Sequence, residues 1–184
     1  MNYKTSDTIF ANITSIYGSS VIVVRLSGSF QTLTKALQDI GVEPSKLLDK
    51  HCFLTKLKVE DEFLDEALIT YFKAPHSFTG EDVIEIAIHG SRFIFETLNK
   101  ALINSGLRFA LNGEFSYRAF LNGKTDLVKA EGMANLIASE TELQHKIASR
   151  RFNGKDSETF AELKNLVLEV LANIESLIDF SDEE

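Results

Sequence analysis

The stretch at residues 77–85 reads Ser-Phe-Thr-Gly-Glu-Asp-Val-Ile-Glu, and His89 and Gly90 follow it closely. A second stretch, residues 113–127, reads Gly-Glu-Phe-Ser-Tyr-Arg-Ala-Phe-Leu-Asn-Gly-Lys-Thr-Asp-Leu. Both mix glycines, charges and aromatic residues without the period of a helix or of a strand. Because core packing alone does not ask for that mixture, we interpret both stretches as flexible backbone that suits a polar ligand rather than a fold.

The residues around these stretches predict an α/β region followed by helices. Strand-like segments rich in β-branched residues occur at residues 9–13, 21–26, 51–59, 67–72, 83–88 and 107–111. Helical spacing of apolar residues occurs at residues 30–40 and 93–102, each followed by a closing glycine. After about Asn112 the pattern is helical, and residues 160–178 carry a long apolar stripe. Because such a stripe needs a surface to pack on, we expect a bundle that is truncated or that a second chain completes.

Length and charge restrict the class of protein. A chain of 184 residues forms one domain with an appendage, or two small domains. The formal net charge of −8 argues against the broad basic face that binding to a phosphate backbone needs. We therefore expect any contact with nucleic acid to be local or supplied by a partner.

The sequence favours a cytoplasmic setting without membrane contact. Residues 1–7 lack the apolar core of a signal peptide, and no apolar run approaches the roughly 20 residues that span a bilayer. Cys52 is the only cysteine, so we expect neither a disulfide framework nor a zinc site of cysteine type. We place Cys52 in the core, because it lies in an apolar strand.

Two charges lie inside apolar strands. Arg25 follows four β-branched residues, and Glu85 interrupts the strand at residues 83–88. A charge in such a position is either at an exposed strand end or buried with a partner. The residues leave two possibilities open, since Arg25 and Glu85 could pair with each other or could both face a polar ligand. The nearby glycines slightly favour the ligand, because glycine lets backbone approach closely.

The Gly-Lys-Thr at residues 123–125 resembles the end of a phosphate-binding P-loop. That loop needs a glycine five residues before Gly123, where this chain has Arg118, and it needs a preceding apolar strand. We therefore expect no specific GTP or GDP binding. The four histidines have no ligand spacing, so His89 is interpreted as a strand-end residue with ordinary hydrogen bonds.

Together these motifs resemble the N-terminal region of the tRNA-modification GTPase family MnmE, also called TrmE. The match includes both stretches quoted above, and it extends in order over essentially the whole chain. Further matching residues are Asp7-Thr8-Ile9, Arg25-Leu26-Ser27-Gly28, His89-Gly90, Ala130-Glu131 and Ile178-Asp179-Phe180.

The resemblance implies an α+β fold in two parts. Residues 1–118 would form a mixed-sheet domain that binds tetrahydrofolate, resembles the folate domain of aminomethyltransferases and makes a homodimer. Residues 119–184 would form the first part of a helical bundle, truncated because the family's GTPase domain is missing from this sequence. The chain is therefore expected to be a binding module rather than a complete enzyme, without a GTP, potassium or magnesium site.

The resemblance also assigns ligand contacts and partners. The folate-contacting arginine, glutamate and lysine of the family fall on Arg25, Glu85 and Lys124, and the ligand would be 5-formyltetrahydrofolate or 5,10-methylenetetrahydrofolate. A carboxylate matches the donor edge of a pterin, and cations match a glutamate tail or a formyl oxygen. With the flavin-binding partner MnmG, also called GidA, the family modifies the wobble uridine U34 of certain tRNAs, so tRNA would be an indirect partner.

Some residues depart from the family pattern and keep two alternatives open. Residues 15–20 read Ser-Ile-Tyr-Gly-Ser-Ser in place of a proline- and glycine-rich loop, and Asn112 replaces a proline. The first alternative is a dimerisation scaffold that has lost folate binding. The second is a folate-dependent one-carbon transferase that acts alone.

Overall fold

A six-stranded mixed sheet organises the first part of the chain, in a computed structural model that describes residues 6–179. The strands are β1 (Ile9–Asn12), β2 (Val21–Gly28), β3 (His51–Val59), β4 (Glu62–Phe72), β5 (Asp82–His89) and β6 (Arg108–Phe109). They lie in the order β3-β4-β5-β2-β1-β6, and neighbours are antiparallel except β1 and β6, which are parallel. The expected mixed sheet is confirmed, although β6 is shorter than the strand predicted at residues 107–111.

Two helices, α1 (Phe30–Asp39) and α2 (Arg92–Asn104), pack on one face of this sheet. Their apolar residues join alternate residues of the central strands in a single buried cluster. Its members include Leu33, Leu37, Leu98, Leu102, Ile22, Val24, Leu26, Ile84 and Ile86. The cluster fixes which face of each strand is internal, because successive side chains of a strand point to opposite faces.

Arg25 and Glu85 lie on the opposite face, which we call the second face. It consists of the strand residues that alternate with the buried ones. The strand pairing places there Val21, Val23, Arg25, Leu54, Leu68, Thr70, Glu85, Ala87 and His89. Cys52 pairs with Thr70 and belongs to the same face. Because it is exposed rather than buried, the expectation of a core position for Cys52 is wrong.

A helix, α3 (Glu114–Leu121), occupies part of the second quoted stretch. The expectation of flexible backbone without a period is therefore wrong here. The buried residues of α3 are Glu114, Arg118 and Ala119. Glu114 and Arg118 are four residues apart and form an ion pair, so the buried side of this helix is ionic and shows no apolar period.

The chain divides into two compact units between Lys124 and Thr125, whereas the sequence placed the division after residue 118. The whole of α3 belongs to the first unit, and the amide of Lys124 donates to the carbonyl of Ala119 at 2.8 Å. The second unit contains α4 (Leu127–Ile137), α5 (Glu142–Phe152) and α6 (Lys155–Asp179).

The second unit consists of helices with an uncovered apolar stripe. Helix α5 begins with a capping box, in which Thr141 and Gln144 each bind the other's backbone amide. In α6 the apolar residues of the stripe are exposed, and they include Phe160, Leu163, Val167, Val170 and Ile174. No helix within residues 6–179 has the length and apolar content needed to cross a membrane.

Candidate functional site

Arg25 and Glu85 face each other across neighbouring strands. Strands β2 and β5 pair so that the two residues are directly opposite. The Nε and Nη2 atoms of Arg25 donate to Oε1 of Glu85 at 2.9 and 2.7 Å, and Oε2 makes no hydrogen bond with any described residue. The side chains keep 19% and 24% of their surface exposed. The charges therefore pair with each other while polar atoms of both remain accessible.

Two aromatic rings hold the guanidinium of Arg25. Its Cζ lies 4.9 Å from the centroid of the Phe78 ring and 5.8 Å from that of Phe115. A cation beside an aromatic face gains about 0.5–2 kcal/mol, depending on how far it is desolvated. Phe78 comes from the first quoted stretch and Phe115 from the second, so the two stretches meet at Arg25.

Lys124 lies beside the first stretch without joining the ion pair. A Cβ added to Gly80 would lie 3.2 Å from Cγ of Lys124 and 2.9 Å from Cβ of Asn122. Glycine at position 80, which has a φ of 80°, therefore leaves room for the lysine stem. Lys124 is exposed, and it takes part in no ion pair among residues 6–179. The structure thus brings Arg25 and Glu85 together and places Lys124 beside the loop that carries Phe78.

A buried ionic network joins the two stretches. The carboxylate of Glu114 accepts hydrogen bonds from Arg108 at 2.7 and 2.8 Å and from Arg118 at 3.0 Å. Arg118 also donates to both oxygens of Glu81 at 3.1 Å. At the other end, Nε of Arg108 donates to Asp7 at 3.0 Å. Glu114 and Arg118 are buried, so the centre of the network lies in the interior of the first unit, whereas the side chains of Arg108 and Asp7 at its edge are 33% and 37% exposed.

Hydroxyl and amide groups anchor the first stretch from a second side. Ser27 Oγ donates to Glu81 at 2.6 Å and lies 2.7 Å from Oγ1 of Thr79. The side-chain amide of Asn122 donates to the carbonyl of Thr79 at 2.7 Å. The interpretation of both stretches as serving a ligand rather than the fold is therefore wrong for Glu81, Glu114 and Arg118, whose charges are satisfied internally.

The network lowers the pKa of Glu114. Burial alone raises that pKa, but hydrogen bonds from Arg108, the Leu111 amide and Arg118 outweigh burial and bring it to about 2. Glu114 is therefore ionised at neutral pH, and its charge is matched by two guanidinium groups.

His89 makes the ordinary hydrogen bonds expected of a strand-end residue. Asp65 accepts from the His89 amide at 2.8 Å, and its other oxygen lies 2.7 Å from Nδ1. A Cβ on Gly90 would lie 1.8 Å from the carbonyl oxygen of Ser19, and the Gly90 amide donates to the carbonyl of Ser20 at 2.9 Å. Gly90 therefore allows the loop between β1 and β2 to pack against the end of β5.

The chemistry of the candidate site is that of binding. It presents one carboxylate, two cationic side chains and two aromatic rings. Within residues 6–179 no three His, Cys, Asp or Glu side chains are grouped as metal ligands would be.

Comparison with protein families assigns the two units separately. The family model described as "GTP-binding protein TrmE N-terminus" matches residues 8–124. The chain belongs to the TrmE (MnmE) family. A second family model, "MnmE helical domain", matches residues 127–184. The resemblance inferred from the sequence is confirmed.

Individual MnmE proteins support the same assignment. The chain is 43% identical to the tRNA modification GTPase MnmE of Campylobacter concisus over 182 residues, which cover 97% of this chain and 40% of that protein. It is 42% identical to the MnmE of Mycoplasma mycoides over 179 residues, covering 96% and 39%. It is 40% identical to the MnmE of Orientia tsutsugamushi over 185 residues, covering 98% and 40%. The chain thus spans about two fifths of these curated relatives and corresponds to the N-terminal module of MnmE.

The MnmE motifs contain site residues that the sequence did not identify. Phe78 and Phe115 lie in the quoted stretches, but nothing in the sequence indicates that both rings reach Arg25. The sequence does contain an indication of the buried network, since Glu114 and Arg118 have the four-residue spacing of a helical ion pair.

Proposed function

We propose that this chain is the tetrahydrofolate-binding, self-associating N-terminal module of an MnmE-family GTPase that modifies tRNA. The observation that carries the proposal is the accessible ion pair of Arg25 and Glu85, held between Phe78 and Phe115. Pairing balances the charges in the strands, and the exposed polar atoms remain available for recognition.

The accessible polar atoms suit a reduced folate. Glu85 Oε2 can accept hydrogen bonds from the N–H groups at the edge of a pterin. Arg25 and Lys124 can donate to a carboxylate tail or to a formyl oxygen. Bound tetrahydrofolate would supply a one-carbon unit, whereas the residues of this chain would bind and orient it.

Self-association is proposed through the second face of the sheet. Val21, Leu54 and Leu68 are exposed apolar side chains on that face. Exposed apolar groups in contiguous strands are typical of interaction surfaces. Beside them, Lys56 and Glu66 pair across β3 and β4 and could contact the same residues of a second copy. GTP hydrolysis, the flavin-binding partner MnmG and tRNA would be functions and partners of the whole MnmE protein.

Titration calorimetry with 5-formyltetrahydrofolate tests this function directly. We expect saturable binding of one ligand per chain and no saturable binding of a fluorescent guanine nucleotide in a parallel titration. An intact dimer without folate binding would favour the scaffold alternative and would direct attention to residues 15–20. Loss of the one-carbon unit from a bound folate donor in the absence of any partner would favour the transferase alternative.

A further inference from the structure

A groove lies on the side of the sheet that carries α1, away from the candidate folate site. Its volume is about 580 Å³, within the range of roughly 300–1,000 Å³ that binding pockets occupy. Phe30, Leu47 and Leu48 form its apolar walls. Tyr71 and Asp82 also line it, and in their strands both alternate with second-face residues such as Thr70 and Glu85. The groove and the second face are therefore separate surfaces.

Two carboxylates and a tyrosine line this groove. The Tyr71 hydroxyl donates to Oδ1 of Asp82, which also accepts from the Ala74 amide at 3.2 Å. Asp49 Oδ1 accepts from the Lys73 amide at 2.8 Å. The second oxygen of each aspartate forms no hydrogen bond with a described residue, so each carboxylate keeps an acceptor for a ligand.

The charge of the groove is negative. Asp49 and Asp82 line it together with one cation, Lys73, and Lys73 forms no ion pair among residues 6–179. Burial, with the hydrogen bond and charge of Asp82 and the charge of Asp49, raises the pKa of Tyr71. The tyrosine therefore remains a neutral donor and adds no further negative charge.

The apolar walls are incompletely covered. Phe30 is 45% exposed and Leu48 is 60% exposed, and the Phe30 ring lies 5.9 Å from that of Tyr71. A pocket for a small molecule buries most of its ligand, whereas walls as exposed as these suit a polypeptide that lies across them.

We propose that this groove binds a basic segment of a partner polypeptide, with an arginine or lysine side chain between Asp49 and Asp82. An apolar neighbour of that side chain would pack on Phe30 and Leu48. Charge complementarity selects the cation, and the exposed walls select the apolar neighbour. The inference does not depend on folate binding, because the groove shares no residue with the proposed folate site.

Nuclear magnetic resonance of the ¹⁵N-labelled full chain tests the proposal with two synthetic peptides. One is acetyl-Leu-Arg-Leu amide, and the other carries citrulline, a neutral isostere of arginine. We expect saturable shifts at residues 30, 47–49, 71–73 and 82 with the arginine peptide, and binding at least about threefold weaker with the citrulline peptide. Equal binding of the two peptides, shifts confined to other residues, or no shifts would overturn the proposal.

Matched variants complete the test. Asp49→Asn and Asp82→Asn each keep an acceptor for the backbone amide and remove one charge. Each should therefore weaken binding of the arginine peptide by about three- to tenfold. Glu96→Gln removes an exposed carboxylate of α2 outside the groove and should leave the affinity unchanged. Unchanged affinity in Asp49→Asn would contradict the assignment, even if Asp82→Asn failed to fold.

A third ligand, acetyl-arginine amide, separates a polypeptide partner from a small organic cation. If it bound as tightly as the tripeptide, the groove would be assigned to a small organic cation and the proposal of a polypeptide partner would be overturned.

Discussion

At the scale of single residues, the paired charges of the first unit have different surroundings. Glu114 and Arg118 are buried and form ion pairs with one another and with their neighbours. Arg25 and Glu85 are paired but keep part of their surface accessible. The buried charges therefore contribute to stability, and the accessible pair is the one available to a ligand.

The lowered pKa of Glu114 predicts a pH dependence of stability. Its folded-state pKa of about 2 lies below the ordinary glutamate value of 4.5, so the unfolded chain binds a proton more readily. The stabilisation is complete above pH 4.5 and is lost as the pH falls towards 2. It amounts to about 3 kcal/mol, since one pKa unit corresponds to about 1.4 kcal/mol.

Urea unfolding of wild type and Glu114→Gln should give a difference in unfolding free energy near this size at pH 7 that shrinks towards pH 2. A difference independent of pH would contradict the account.

The aromatic contacts of Arg25 predict a role for Phe115 in ligand affinity. Phe115→Leu keeps an apolar side chain but removes the ring beside the guanidinium, so binding of 5-formyltetrahydrofolate should weaken about two- to fivefold. Phe93→Leu is the control, because Phe93 is an exposed phenylalanine of α2. Calorimetry that found equal losses in both variants would exclude a specific contribution from the contact with Arg25.

At the scale of elements, close backbone contacts determine where the motif glycines lie. The contact between Gly90 and the carbonyl of Ser19 holds the loop between β1 and β2 against the end of β5. Gly80 lies beneath the stem of Lys124. Such positions tolerate no side chain unless a neighbouring segment moves.

The contact at Gly90 predicts a large cost for a small substitution. Gly90→Ala should destabilise the chain by about 1–3 kcal/mol, because the added methyl group forces the loop away from β5. Gly18→Ala in the same loop places its Cβ in open space. It should lower the free energy of unfolding by only about 1 kcal/mol, because alanine disfavours the positive φ of Gly18. Thermal unfolding of both variants makes the comparison, and a greater loss in Gly18→Ala would contradict the packing argument.

The elements also show what the sequence could predict. The central strands were predictable because their β-branched runs are long and their buried residues alternate. The sequence does not predict helix α3, because two of its three buried residues, Glu114 and Arg118, are charged. The sequence does not identify the partner of Arg25, because the pairing depends on β2 lying beside β5 and these two strands are far apart in sequence. Local spacing does not determine the order of distant strands.

At the scale of the whole molecule, the second face of the sheet combines the accessible ion pair with uncovered apolar residues. Val21, Leu54 and Leu68 remain exposed there. In the second unit, the stripe of α6 is also exposed. Each unit thus presents apolar surface that a partner could cover.

The second face predicts the behaviour of the chain in solution. Wild type should sediment as a dimer at micromolar concentration, and Leu68→Asp should shift it towards monomer, because a charge would be buried in the interface. Phe93→Asp changes an exposed residue of α2 on the other side of the sheet and should leave the dimer intact. A monomeric wild type, or a Leu68→Asp variant that remains dimeric, would contradict this interface.

The most direct measurement of the central claim compares two carboxylate replacements by calorimetry with 5-formyltetrahydrofolate. Glu85→Gln keeps the shape of the side chain and removes its charge, so binding should weaken by about 1–3 kcal/mol, or roughly tenfold or more. Glu96→Gln removes the carboxylate of another arginine–glutamate pair, the exposed one on α2, and should bind as wild type does. Equal affinity of wild type, Glu85→Gln and Glu96→Gln would show that the accessible pair of Arg25 and Glu85 is not the folate site.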